Sequence, residues 1–184
     1  MCVCQHPPEV KENVPVESET YPGELENEVE ELSAQTLNAK LNAIFKERTD
    51  VKSNGLCLDT CKRMVKLMDL DLTGTLSIKE YVALKEKLEF YTNIFSLVDT
   101  NLSGTIDSLE MGNALQNAGF FVNEKIRDLI VEKYSSENLS LDFDNFIASM
   151  IHLETIFKMF KILDKGNSGS INLSLSEWLC AALA

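Results

Sequence analysis

Two twelve-residue stretches of the chain superimpose at an offset of thirty positions. The first reads Asp69-Leu70-Asp71-Leu72-Thr73-Gly74-Thr75-Leu76-Ser77-Ile78-Lys79-Glu80. The second reads Asp99-Thr100-Asn101-Leu102-Ser103-Gly104-Thr105-Ile106-Asp107-Ser108-Leu109-Glu110. In both, side-chain oxygens recur at positions 1, 3 and 5, glycine stands at 6, a hydroxyl residue at 7, an aliphatic at 8 and glutamate at 12. Such a repeat constrains the fold more than composition does. The backbone must turn sharply at a residue without Cβ, and the oxygens must converge on one point.

This spacing is that of an EF-hand calcium loop. Calcium is a hard cation that takes six to eight oxygens at about 2.3–2.6 Å. Asp69, Asp71 and Thr73 are expected to donate side-chain oxygens, Thr75 its carbonyl, and Glu80 two oxygens from the opposite side. Asp99, Asn101, Ser103, Thr105 and Glu110 repeat the set. Position 5 is Thr or Ser in place of Asp or Asn, so each loop carries less charge than a high-affinity buffer site and is expected to bind on the order of micromolar.

The flanking sequence is helical. Leu58, Cys61, Val65 and Met68 share a face leading into the first loop, and Tyr81, Leu84, Leu88, Tyr91, Phe95 and Val98 keep a three-to-four spacing through a segment without Gly or Pro. One helix of about 30 Å therefore leaves the first loop and enters the second. A helix over Leu109 to Ala118 is stopped by Gly119, and Asn123 caps another through Tyr134, with Ile126, Leu129 and Ile130 expected inside. A loop at Ser135–Asn145 precedes an apolar helix from Phe146 to Leu163. That helix runs into a degenerate fifth loop beginning at Asp164. Counting twelve positions puts Leu175 where glutamate belongs and Glu177 two residues late, so no calcium is expected there. A further degenerate hand ends near Thr36, giving five hands.

The chain has 184 residues and a net charge of −12, which argues against nucleic acid as a partner. Residues 1–36 hold nine Glu and one Lys, and all four prolines lie in that region. Residues 1–30 are thus expected to form a disordered acidic linker ahead of a domain at 31–184. No apolar run reaches the length of a membrane span, and five cysteines do not suggest a secreted disulfide framework. The chain reads as cytoplasmic. The formal sequon Asn101-Leu102-Ser103 agrees, because a glycan there would block a calcium ligand.

Other chemistry is thin. Cys57 and Cys61 lie one helical turn apart but lack the further ligands a structural zinc site needs, and they read as packing residues. His6 and His152 have no nucleophile at a motif position. Cys2-Val3-Cys4 is flanked by acidic sequence that anionic membranes repel, so it reads as a disordered tip rather than a lipidation site.

The strings Asp59-Thr60-Cys61-Lys62-Arg63-Met64-Val65, Asn117-Ala118-Gly119-Phe120, Asp142-Phe143-Asp144-Asn145-Phe146-Ile147 and Glu177-Trp178-Leu179 resemble the penta-EF-hand C-terminal domain of calpains. The resemblance spans roughly residues 31–184. It implies an all-α domain in which hands 1 and 2 pair, hands 3 and 4 pair, and the fifth pairs with the fifth hand of another subunit in a homodimer or heterodimer. It also implies a weaker ion site made by Asp142, Asp144, Asn145 and Asn54. Thr36 stands where the family's first loop ends in Glu, so hand 1 is expected to be inactive. The family's catalytic Cys, His and Asn lie in other domains, and nothing of them is present here.

The leading expectation is therefore a non-enzymatic, calcium-binding regulatory and dimerisation domain of a calpain-like cysteine protease. Its implied partners are calpain catalytic domains or a calpastatin-like helical peptide. The alternative is a free-standing penta-EF-hand adaptor that binds amphipathic helices.

Overall fold

A computed structural model describes residues 31–135 and 138–183. The acidic segment expected at residues 1–30, with His6 and the Cys2–Cys4 tip, lies outside the described residues.

The elements run α1 (Ala34–Glu47), α2 (Leu58–Met68), α3 (Ile78–Val98), β1 (Thr105–Ile106), α4 (Ser108–Asn117), α5 (Glu124–Tyr134), β2 (Leu141–Asp142), α6 (Phe143–Leu163) and α7 (Leu175–Leu183). Helix starts follow from capping side chains, which satisfy the free N–H groups of the first turn. Ser77 and Glu80 form a reciprocal capping box at α3, and Asp107 and Glu110 form another at α4. At α1, Ser33 accepts a hydrogen bond from the Thr36 amide, with threonine in the place those two glutamates occupy. Gly119, at φ +82°, ends the α4 segment in the left-handed backbone that glycine adopts most readily.

The hands pair through short antiparallel contacts between aliphatic loop residues. Leu32 and Leu76 exchange both backbone hydrogen bonds at 2.8 and 2.9 Å, joining hands 1 and 2. Thr105–Ile106 pairs with Leu141–Asp142, joining hands 3 and 4. Leu32, Leu76, Ile106 and Leu141 are all buried, so these contacts sit over the core.

The two pairs share one core. Phe143 packs edge-on against Phe45 of α1 and Phe95 of α3, with ring centroids 5.0 and 5.3 Å apart, and Phe95 also meets Phe146 at 5.3 Å. Leu84, Leu88, Tyr91, Phe95 and Val98 are buried along α3, as its spacing predicts. Across from them, Glu154 of α6 receives hydrogen bonds from Lys87 and from the Tyr91 hydroxyl, tying the two longest helices together.

Three expectations need correction. Helix α6 begins at Phe143, not Phe146, because the Asp142 carboxylate accepts from the Asn145 amide and caps it. On α5, Ile126 and Leu129 are 39% and 54% exposed, while Ile130 and Val131 are buried. On α2, Leu58 is exposed whereas Cys61 and Val65 are buried. Among the described residues no helix is long and apolar enough to cross a membrane.

Candidate functional site

The loop between α2 and α3 is held open by its own amides. Asp69 accepts from the Thr73 amide at 3.0 Å and from the Gly74 amide at 2.8 Å through its two carboxylate oxygens. Asp71 accepts from the same Thr73 amide at 3.2 Å. From the far side, Glu80 accepts from the Leu70 amide at 2.8 Å and, through its other oxygen, from the Ser77 amide and hydroxyl at 2.9 and 2.8 Å. Carboxylate oxygens of Asp69, Asp71 and Glu80 consequently all lie within 4.8 Å of one another. Three carboxylates converging at that spacing, with hydroxyls from Thr73 and Thr75 beside them, form an all-oxygen donor set that suits a hard divalent cation.

The electrostatics follow from these bonds. The Leu70 and Ser77 amides and the Ser77 hydroxyl hold the Glu80 carboxyl below the usual range, more than offsetting its burial. At Asp69 burial pushes upward, but the Gly74 and Thr73 amides outweigh it and the net direction is again down. Both groups thus favour the charged form that metal binding needs.

The loop between α3 and α4 repeats the design. Asp99 accepts from the Ser103 amide and the Gly104 amide, both at 2.9 Å, and Asn101 accepts from Ser103 at 2.8 Å. The Ser103 hydroxyl donates to the Thr105 carbonyl at 2.9 Å, while Glu110 accepts from the Asp107 amide at 3.0 Å.

The fourth-hand cluster is arranged differently. Asn54, Asp142 and Asp144 line one cavity of about 520 Å³ together with Lys52, Ser103 and Gly104, but Asn145 is not part of its wall. Asp144 accepts from the Cys57 amide at 3.0 Å, so the connector before α2 is fastened to the start of α6. Cys57 itself is exposed and caps α2 through its sulfur, and Cys61 is buried beside Asn38, consistent with packing roles.

The fifth loop departs from the count of twelve. Asp164 accepts from the Ser168 and Gly169 amides at 2.9 and 2.7 Å, as Asp69 and Asp99 do at their loops. Glu177 then accepts from the Ser174 amide and hydroxyl at 2.8 and 2.7 Å, the arrangement Glu80 makes with Ser77. The loop is therefore two residues longer, and Glu177 rather than Leu175 takes the capping-box position that Glu80 and Glu110 hold at their helices. The pattern Ser174-x-x-Glu177 is itself a capping-box signal that counting to twelve passes over. The donor this loop lacks is at its third position, where Gly166 offers no side-chain oxygen.

Beyond it, Leu175, Trp178 and Leu179 are 75%, 56% and 47% exposed, while Leu163, Ile171 and Leu173 are half-buried. Two further contacts were not anticipated from the sequence. Thr75 donates to Glu31 across the first hand pair, and Lys52 donates to the Leu102 carbonyl of the 99–110 loop.

Known proteins resemble this chain in sequence. The chain is 43% identical over 153 residues to calpain-8 from Homo sapiens, an alignment covering 83% of this chain and 22% of that protein. It is 41% identical over 157 residues to the calpain-2 catalytic subunit from Oryctolagus cuniculus, covering 85% of this chain and 37% of the relative. The chain is a homologue of the C-terminal portion of calpains. It spans about a fifth to just over a third of these calpains' length. No protein-family model matches it.

The calpain homologue's fold is shared with a solved homologue of programmed cell death 6 protein from Leishmania major Friedlin. That comparison gives a TM-score of 0.60 at 20% identity and covers 83% of this chain and 84% of the other. The fold is a penta-EF-hand, and homology to the C-terminal portion of calpains supports a calcium-binding domain.

Proposed function

We propose that this chain is the calcium-responsive regulatory and dimerisation domain of a calpain-like, calcium-dependent cysteine protease. The observation that carries this reading is the pair of matching oxygen cradles at the two ends of the single helix α3. Asp69, Asp71, Thr73, Thr75 and Glu80 would hold one ion, and Asp99, Asn101, Ser103, Thr105 and Glu110 a second. A third, weaker ion would be held by Asn54, Asp142 and Asp144, which line one cavity, with Asn145 next to them in sequence, and only two carboxylates would serve it. Calcium, when bound, supplies the positive charge that neutralises each carboxylate group. Because α3 is both the exit of one loop and the entry of the next, a reorientation at either end bears on the other.

The exposed apolar face of α7 supports the dimerisation half of the proposal, since among the described residues the loop pairings join hands 1 and 2 and hands 3 and 4 only. It would pack against a second fifth hand, from another copy or a related subunit. The outward-facing Ile126 and Leu129 on α5 support the adaptor reading, as an apolar row open to an amphipathic helix of a calpastatin-like peptide.

Calcium titration calorimetry of Glu80→Ala and Glu110→Ala tests the loop assignment. Each substitution removes two carboxylate oxygens and is expected to abolish one strong binding event. Unchanged stoichiometry in both variants would sink it. The molecular weight of the native polypeptide in its tissue separates a protease module from a free-standing adaptor.

A further inference from the structure

The two loops hold their first aspartate alike and differ in their surroundings. Gly74 is exposed, and a Cβ built on it would have no described atom within 4 Å. Gly104, its counterpart, is buried, and a Cβ there would stand 2.9 Å from Cβ and 3.0 Å from Cδ of Lys52. The Lys52 stem thus lies directly on the turn of the 99–110 loop. Its ammonium donates to the Leu102 carbonyl at 2.6 Å. Leu102 has φ +54° and its counterpart Leu72 has φ +61°, a left-handed backbone that residues with a side chain adopt at a cost. In the 99–110 loop the Lys52 ammonium bonds to that strained residue's carbonyl.

Lys52 is itself anchored. Arg48 pairs with Asp50 and with Glu89 of α3, and the Asp50 carbonyl accepts from Ser96 near the end of the same helix. The connector carrying Lys52 is therefore fastened to the helix that delivers Asp99. Resting on the reading that both loops bind calcium, we infer that Lys52 is a positioning residue that preorganises the 99–110 loop and makes it the tighter of the two sites.

A positive side chain near a cation site also repels the ion. Here the ammonium is exposed, where water and salt screen that repulsion strongly, whereas the strained turn it holds is ordered before the ion arrives. The ordering effect is the larger, so removing Lys52 weakens binding.

Calorimetry on the full chain tests this. Glu80→Gln leaves the 99–110 loop to be read, and Glu110→Gln leaves the 69–80 loop. The 99–110 loop is expected to bind tighter by about 3- to 10-fold, the size of effect a single partly exposed hydrogen bond gives. Adding Lys52→Met removes that advantage and leaves the 69–80 loop unchanged, while Lys52→Arg, which keeps a donor and a charge, preserves it. A Lys52→Met chain in which the 99–110 loop is unchanged or tighter, or in which both loops weaken equally, overturns the inference. Strong calcium heats surviving in the Glu80→Gln/Glu110→Gln double variant overturn instead the loop assignment on which it rests.

Discussion

The phenol oxygen of Tyr134 lies 2.6 Å from Nδ1 of His152, joining the end of α5 to the middle of α6. Lys133 approaches the same nitrogen at 3.5 Å. Burial, then the nearby charges of Lys133 and of Arg63 from α2, push the imidazole below its usual pKa. The neighbourhood also contains Asp59, paired with Arg63.

The sign of the resulting pH effect is fixed. A folded-state pKa below the unfolded value means that the unfolded chain takes the proton more readily. The contribution of His152 to stability is complete above its ordinary pKa of about 6.5 and is lost as pH falls through the lower folded value. Urea unfolding of the wild type should therefore weaken between pH 7.5 and mildly acidic pH more steeply than that of His152→Gln. Parallel pH profiles would exclude His152 as the source.

Phe95 touches both Phe143 and Phe146, so it carries the junction between the two hand pairs. Phe95→Ala is expected to cost about 3–5 kcal/mol, as large core truncations do. Leu97→Ala, on the exposed side of the same helix, should stay within about 0.5 kcal/mol. Chemical denaturation with m-values checks both, and equal losses would mean that α3 is not packed as described.

Asp144 is expected to matter to the weakest ion alone. Asp144→Ala removes one of two carboxylates from the cavity and frees the Cys57 amide. The millimolar step of a calcium titration should disappear while the two stronger steps remain. Loss of a strong step instead would reassign this residue.

The α7 surface yields a prediction about assembly. Trp178→Ala should cost about 2 kcal/mol or more of association, as expected of a large aromatic at an interface centre. Sedimentation equilibrium with and without calcium measures it. A wild type that stays monomeric at high micromolar concentration defeats the homodimer, and failure to bind any penta-EF-hand partner defeats the interface.

The parts of this architecture readable from sequence were those with short-range causes. The spacing of Asp69, Gly74 and Glu80 declares a loop because metal geometry dictates it, and the spine from Leu84 to Val98 declares a helix because nothing in it breaks the period. Ile126 and Leu129 misled because α5 buries only the adjacent Ile130 and Val131 rather than a full stripe. Glu177 was misplaced by assuming a fixed loop length although its capping partner Ser174 stood three residues before it. Lys52 left no local trace at all, since its contact with Leu102 spans fifty residues of chain.

Trp178 is the chain's single tryptophan, and more than half of it faces solvent on α7. Its indole emission therefore reports on one place only. A blue shift on mixing records the covering of the fifth hand without any attached dye. The same signal on adding calcium alone, at concentrations too dilute for association, records an ion response that reaches α7. The protein thus comes with a built-in optical probe that separates assembly from ion response.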